Sequence, residues 1–304
     1  MMRVLTFLLL LFLNINTYAD IITVTILGSG TPRLDINRFS QSILIEHKND
    51  KFLFDVGRGA SIRLKQANIL PSEINDIFFT HLHSDHIIGF ADLLMTGWIY
   101  QRNKIMNIYG PTGSKNFVQS TLKAYEEDIK IRSSAPENLD PKFLQAKIRN
   151  LREDYKVIKN GLTIEAFVVN HEPVTEAYGF KIYNQKYCLV ISGDTKPTKN
   201  LLNKADGCQL LIHEIAHASE STKEKYPKVK DIISYHTNIQ QLANIVNQLK
   251  PKLTILNHVL SLDGSTDLDI LNEIKNLTNH DVKVGRDLMA IDIKDNIYIY
   301  SRNK

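Results

Sequence analysis

The sequence predicts an α/β protein built on two mixed β-sheets faced by helices. Three observations point there. Short β-branched and aromatic runs recur along the chain, split by polar turns. Some of these runs follow one another as hairpins, while others are separated by segments of helical periodicity, the pattern of sheets that mix antiparallel and parallel pairs. The 304 residues contain no internal repeat, Gly/Ser linker or low-complexity tract, so one domain, residues 20–304, accounts for the chain after its first nineteen residues.

In order, residues 22–27, 42–46 and 51–56 read as strands, and 58–69 has helical periodicity. Residues 75–80 form a strand and 87–100 a long apolar helix, followed by a strand at 105–109 and a helix at 112–128. Residues 130–155 are polar and hold two prolines, which predicts a surface segment. Strands follow at 162–170, 177–183, 187–192 and 209–213, the last leading into a polar loop. A helix at 236–249 stops before Pro251, and strands at 253–256, 282–284, 288–293 and 297–300 close the chain. Trp98, Tyr100 and Met95 on the apolar helix read as core rather than substrate wall.

Composition narrows the class. A hydrophobic fraction of 43% excludes a disordered, collagen-like or polytopic membrane chain. Lys+Arg number 37 and Asp+Glu 33, mixed along the chain, so the net charge of +4 is a weak nucleic-acid signal. Two cysteines cannot staple a disulfide scaffold; Cys188 and Cys208 pair if their strands are neighbours, and are otherwise two separate thiols.

The first residues read as an address. Arg3 precedes an apolar run at 4–13, and Thr17-Tyr18-Ala19 stands before Asp20, the order of a signal peptide spanning residues 1–19. The run is half of the ~20 residues a spanning helix needs, so no stable membrane insertion is expected after cleavage. An uncleaved anchor and a buried first strand are the alternatives. Export to the periplasm or medium follows from the signal-peptide reading, and with it an oxidising compartment.

The strongest local pattern is Thr80-His81-Leu82-His83-Ser84-Asp85-His86. Four ligand-type side chains sit within six residues at a strand end, where a tight loop can aim them at one place. Imidazole nitrogen and carboxylate oxygen suit Zn²⁺ and related divalent ions.

This HxHxDH pattern resembles the metallo-β-lactamase superfamily, and five further segments agree in order. Gly28-Ser29-Gly30-Thr31-Pro32, with Arg38 beyond it, is similar to the ribonuclease Z and arylsulfatase-like branch. Phe54-Asp55-Val56-Gly57 resembles an early Asp-x-Gly turn. Asn170-His171, Ser192-Gly193-Asp194-Thr195 and Asn257-His258 match the later ligand motifs, and Gly179 fits the same branch. The resemblance implies a four-layer αββα sandwich and two divalent ions, zinc foremost, with manganese or iron as alternatives. His81, His83 and His171 would hold the first ion, Asp85, His86 and His258 the second, and Asp194 would bridge both. Two cations lower the pKa of a bridging water and make hydroxide available, with Asp85 beside it to orient it or take its proton. The same resemblance makes Glu214 the partner of His236, and His236 the proton donor to the leaving group.

One motif competes. His213-Glu214-Ile215-Ala216-His217 is a literal HExxH, which on a helix would make a zinc protease. The apolar Gln209-Leu210-Leu211-Ile212 before it reads instead as a strand. His47 and His280 read as surface residues in turns, and His217 as a loop residue.

The branch's tRNA-binding arm is expected between the positions of His171 and Asp194, and that interval holds only two strands and a hairpin. The segment after His258 also departs from the branch's Phe-Ser and Arg-Tyr, reading Val259-Leu260-Ser261-Leu262. tRNA is therefore not expected as a partner. What the resemblance implies is an exported hydrolase of a small anionic or ester substrate, a phosphodiester or sulfate ester first, a lactone or β-lactam second. A homodimer is compatible with the branch. A metal-binding member without turnover is the non-enzymatic alternative. The Gly28–Pro32 turn is either a structural turn or a source of backbone N–H groups for an anion.

Overall fold

The computed structural model describes residues 20–302, so the signal peptide expected at 1–19 lies outside the described residues. The first half runs β1 (Ile22–Gly28), β2 (Ser42–His47), β3 (Asp50–Phe54), α1 (Ala60–Gln66), β4 (Asp76–Phe78), α2 (Ser84–Ile87), α3 (Phe90–Ile99), β5 (Met106–Gly110), α4 (Ser114–Ala124), α5 (Glu126–Arg132) and β6 (Ala146–Asn150). The second runs β7 (Lys156–Lys159), β8 (Leu162–Val168), β9 (Tyr178–Tyr183), β10 (Cys188–Ile191), α6 (Lys199–Ala205), β11 (Leu210–His217), α7 (Glu220–Lys225), α8 (Pro227–Ser234), α9 (Ile239–Leu249), β12 (Leu253–Ser261), α10 (Asp267–Lys275), β13 (Val282–Val284), β14 (Met289–Ile293) and β15 (Ile297–Ser301).

These strands make two mixed sheets, β15-β14-β1-β2-β3-β4-β5-β6 and β13-β12-β11-β10-β9-β8-β7. In the first, β3 to β6 pair in parallel and the rest antiparallel. In the second, β10 to β13 are parallel and β7 to β10 antiparallel. The two inner faces bury Ile22, Val24, Phe54, Phe78, Phe180 and Ile212 against one another. Phe54 and Phe78 stack at 4.9 Å, and Phe180 from the opposite sheet meets Phe78 edge-on at 5.6 Å. Leu64, Phe90, Leu93 and Trp98 cover the outer face of the first sheet from α1 and α3. Leu201, Ile245, Leu242 and Ile270 cover the second from α6, α9 and α10. The result is helix, sheet, sheet, helix, with each helix burying one stripe.

Several local expectations change. The helix expected at 87–100 is two pieces, α2 and α3, parted at Gly89, where a Cβ would stand 2.1 Å from the Gly57 carbonyl oxygen. The polar segment 130–155 contains α5's end and the edge strand β6, and β7 is the edge strand of the other sheet. Edges carry polar residues on their solvent side, which hides their strand pattern. The polar loop expected after residue 213 holds the rest of β11, then α7 and α8. The helix expected from 236 starts at Ile239, because Asn238 caps it and exchanges hydrogen bonds with Gln241. Helices α6 and α10 are additional to the expected elements, and Thr198 and Thr266 cap them in the ordinary way.

Two histidines also move. His47 is buried, not on the surface, with Nδ1 3.0 Å from the Ile21 carbonyl oxygen. His217 ends strand β11 instead of lying in a loop. Trp98 and Met95 are core, whereas Tyr100 is half exposed. Cys188 and Cys208 form a disulfide, made feasible because β10 and β11 are parallel neighbours. No helix among the described residues is long and apolar enough to cross a membrane.

Candidate metal centre

The parallel strands of both sheets end at one edge of the sandwich, and the loops that leave them converge there, as open α/β sheets place their ligands. β4 delivers residues 80–86, β8 leads to His171, β10 to Asp194, and the longer β11 and β12 carry Glu214 and His258. Gly193 makes the turn after β10 possible. Its φ is +61°, and a Cβ there would stand 2.5 Å from the Tyr178 carbonyl oxygen.

All seven side chains expected as ligands meet in this place. The ligand atoms of His81, His83 and His171 lie within 4.8 Å of one another, as do those of Asp85, His86 and His258. Asp194 sits between the two groups. Its Oδ2 is 3.5 Å from His86 Nε2, 3.6 Å from His258 Nε2 and 3.9 Å from His171 Nε2. His171 Nε2 faces His83 Nδ1 at 3.3 Å, and Asp85 Oδ2 faces His258 Nε2 at 3.0 Å. His81 Nε2 and His86 Nε2 are buried without a hydrogen-bond partner. Buried imidazole nitrogens aimed at carboxylates and at each other, with no protein donor to satisfy them, are the donor set of a divalent cation site.

Electrostatics agree. Burial would raise the Asp194 carboxyl, but the His258 and His86 imidazoles outweigh it and hold the group well below the usual carboxylate range. Burial would lower His86, and Asp194, Asp55 and Asp85 together push it well above the ordinary histidine value. His81 goes the other way: burial, reinforced by the neighbouring His86, pushes it well down. Three carboxylates crowd one buried imidazole, a concentration of negative charge that favours cations.

Behind these side chains stand others. Asp55, at the end of β3, accepts a hydrogen bond at Oδ1 from the Thr80 N–H (2.8 Å), and its Oδ2 lies 2.8 Å from His86 Nδ1. His171 Nδ1 contacts the Tyr235 carbonyl oxygen at 3.1 Å. Glu214 Oε1 accepts from the N–H groups of Thr195 (3.2 Å) and Thr237 (2.9 Å), tying the Asp194 loop to the His236 loop. Glu214 Oε2 lies 3.2 Å from His236 Nδ1. Burial would lower His236, and the Glu214 carboxylate overrides it, raising the imidazole to about 9. The His236 ring lies 4.9 Å from that of His171. A cleft of about 470 Å³ opens over Asp85, Asp194, His236 and His258.

The sequence model of the family described as anti-Pycsar protein Apyc1 matches residues 22–260. The chain belongs to that family. This Apyc1-family chain is also 30% identical over 245 residues to ribonuclease Z of Mycobacterium bovis (strain BCG / Pasteur 1173P2), a match covering 79% of this chain and 87% of the relative. Its fold is that of the metallo-β-lactamase fold protein YhfI from Bacillus subtilis, with TM-score 0.68, 16% identity and coverage of 90% and 100%. The short form of human tRNase Z matches with TM-score 0.65 and 21% identity over 88% and 98% of the two chains. The Apyc1-family chain is therefore a metal-dependent hydrolase of the metallo-β-lactamase superfamily, in its ribonuclease Z-like branch.

The competing HExxH of this Apyc1-family member is not helical. His213 through His217 lie on β11, with a register irregularity between His213 and Ile215, not on a helix. His213 is buried with Nδ1 2.7 Å from the Glu214 carbonyl oxygen, while His217 Nε2 faces Asp263 at 3.6 Å. The two imidazoles share no metal-ligating group among the described residues, so the zinc-protease geometry is not formed. The Gly28–Pro32 turn is structural: the Ser29 N–H donates to Asp287 Oδ1 (2.9 Å) and the Gly30 N–H to the Phe39 carbonyl (2.7 Å), leaving neither for an anion. Asp55 was legible only as part of its Asp-x-Gly turn. Tyr235 and Asp287 had no sequence signal, because each acts through contacts distant along the chain.

Proposed function

We propose that this protein is an exported, dinuclear-metal hydrolase of a small phosphodiester. The observation that carries the dinuclear reading is the place of Asp194 Oδ2, within 3.5 to 3.9 Å of imidazole nitrogens from both triads. A carboxylate offers two oxygens, so one group serves two ions. His81, His83 and His171 would hold one ion and Asp85, His86 and His258 the other, zinc being the natural choice for this nitrogen and oxygen set. Bound there, two such ions supply Lewis acidity toward the phosphoryl oxygens and an acidified water.

The protein's own residues do the rest. Asp85 is the carboxylate placed to orient the attacking water and accept its proton. His236, raised to about 9 by Glu214, carries its proton at neutral pH and donates it to the leaving alkoxide. Glu214 holds His236 in place while its other oxygen binds the Thr195 and Thr237 amides. The name ribonuclease Z of the mycobacterial relative favours a phosphodiester over a sulfate ester. Only β9, β10 and their connections fill the interval between His171 and Asp194, which leaves no arm for tRNA and favours a small substrate. The signal-peptide pattern of residues 1–19 and the Cys188–Cys208 disulfide both favour an oxidising compartment.

Asp194→Ala tests the reading. The variant is expected to lose both ions in metal analysis and all hydrolysis of bis(p-nitrophenyl) phosphate. Two ions retained per chain would overturn the dinuclear assignment. Turnover of an aryl sulfate, a lactone or a cephalosporin in preference to the diester would overturn the substrate class.

A further inference from the structure

The proton donor stands on a stretch of chain that is anchored from one side. His236 lies in the turn between α8 and α9, and its N–H reaches back to the Ile233 carbonyl oxygen at 3.2 Å. What precedes it gives little purchase: α7 buries no residue, and the buried residue of α8 is Ile233. A segment with so few buried apolar contacts opens easily, and it does not by itself hold an imidazole to a fraction of an ångström. The anchoring comes from the other side. Asn238 caps α9, and Thr237, between that cap and His236, is fully buried.

Thr237 is held at three points. Its N–H donates to Glu214 Oε1 at 2.9 Å, its carbonyl oxygen accepts from the Ala216 N–H at 2.9 Å, and its hydroxyl donates to the Thr195 carbonyl oxygen at 2.6 Å. The first two tie it to β11, and the third reaches the residue after Asp194. Thr195 is fully buried as well, so the hydroxyl satisfies a carbonyl removed from solvent. Thr195 passes the connection on: its own hydroxyl donates to the Lys196 carbonyl oxygen (2.6 Å) and accepts from the Asn170 N–H (3.2 Å), beside His171. The bonds therefore run from the His236 turn through the Asp194 loop to the His171 loop, behind the side chains that face the cleft. Glu214 Oε1 also joins the first two of these, but it takes both amides at one oxygen. Two chains pivoting on one atom are fixed in distance and free in angle. The bond from hydroxyl to carbonyl is the second point, and it fixes the angle.

We propose that Thr237 is the positioning residue of the proton donor: the bond from its hydroxyl to the Thr195 carbonyl sets where His236 stands relative to Asp194. Glu214 orients the ring, and Thr237 fixes the backbone that carries the ring. The hydroxyl is turned into the protein, so its removal leaves the seven ligand side chains in place and shifts the donor. Misplacement of about 1 Å costs a reacting group up to about 100-fold in rate. The inference rests on the phosphodiester reading and names what aligns the proton with the leaving oxygen.

Two diesters that differ in leaving group separate a positioning role from a merely structural one. p-Nitrophenoxide departs readily without a proton, whereas phenoxide needs one. With zinc-loaded protein, Thr237→Val is expected to lower kcat about tenfold more on methyl phenyl phosphate than on methyl p-nitrophenyl phosphate, with KM and the zinc content unchanged. Thr237→Ser keeps the hydroxyl and is expected to restore most of the lost rate. In a His236→Ala background Thr237→Val should cost nothing more. Equal losses on both esters, a further loss on top of His236→Ala, or loss of zinc would overturn the assignment. If Thr237→Val does not fold, Thr237→Cys, whose thiol is a weak donor, is expected to show the same split between the esters, and equal losses there would overturn it too. If the wild-type protein cleaves neither ester, the hydrolase reading fails, and NMR still decides the role of Thr237. The His236 Nδ1 proton facing Glu214 should give a slowly exchanging downfield resonance that is missing from His236→Gln. That resonance is expected to persist in Thr237→Ser and to vanish in Thr237→Val, and its unchanged presence in Thr237→Val would refute the proposal.

Discussion

Asp55→Asn is the sharpest probe of how the candidate centre is held together. Asp55 touches no expected position of substrate, yet it fixes two of the residues around it. Its Oδ2 lies 2.8 Å from His86 Nδ1 and 2.9 Å from the Thr80 hydroxyl, and its Oδ1 takes the Thr80 N–H at 2.8 Å. The group is fully buried. It also sits at φ +58°, a left-handed conformation that asparagine tolerates and alanine does not. Asparagine therefore keeps the backbone and the shape while removing the charge that makes His86 a better ligand. Partners of this kind are worth roughly 10- to 100-fold in metal affinity, or about 1.4 to 2.8 kcal/mol. The variant should bind zinc that much more weakly in a chelator-competition titration, and its hydrolysis should fall at limiting zinc and recover at saturating zinc. Metal affinity within twofold of wild type would refute the argument that Asp55 acts through His86.

Two further predictions follow from the same geometry. Glu214→Gln removes the charge that raises His236 to about 9. The proton needed by the leaving group is present below that value and lost above it, so the alkaline limb of the kcat–pH profile should move to lower pH in the variant; an unmoved limb would exclude His236 as the donor. The Cys188–Cys208 bond closes a chain separation of 20 residues around α6, and the paired Cys188→Ser, Cys208→Ser variant should lose about 3 kcal/mol of stability in urea unfolding. A loss under about 0.5 kcal/mol would show that the neighbouring β10–β11 pairing holds that loop unaided.

Legibility in the sequence followed the range of the interaction. His81, His83, Asp85 and His86 are one short loop, so their joint purpose shows in the order of the letters. Strands that bury a whole face, such as β1, β10 and β12, announce themselves through runs like Leu-Val-Ile or Thr-Ile-Leu. The edge strands β6 and β7 do not, because half their residues face water and read as loop. The burial of His47 was hidden for a related reason: its neighbours Lys48 and Asn49 are turn residues, and only the Ile21 carbonyl, brought alongside by the β1–β2 pairing, takes its ring inside.

By itself, then, the sequence determined the ligand types, their order along the chain and the family resemblance that joins them. Those features depend on residue identity at short spacing. It favoured a strand into His213 from the apolar run before it, yet the HExxH letters of a second zinc chemistry stood in the same place, and the course of the chain from Glu214 to His217 had no signal of its own. The tertiary structure decided that, because β10 and β12 hold Leu210 to Ile212 extended from both sides and β12 goes on pairing with the chain as far as His217. It also decided which distant residues cooperate. Asp55 reaches His86 across 31 positions, Asp85 reaches His258 across 173, and Asp287 reaches Ser29 across 258. Sequence spacing carries no trace of such pairs, since they exist only where the packing of two sheets brings the strand ends to one edge.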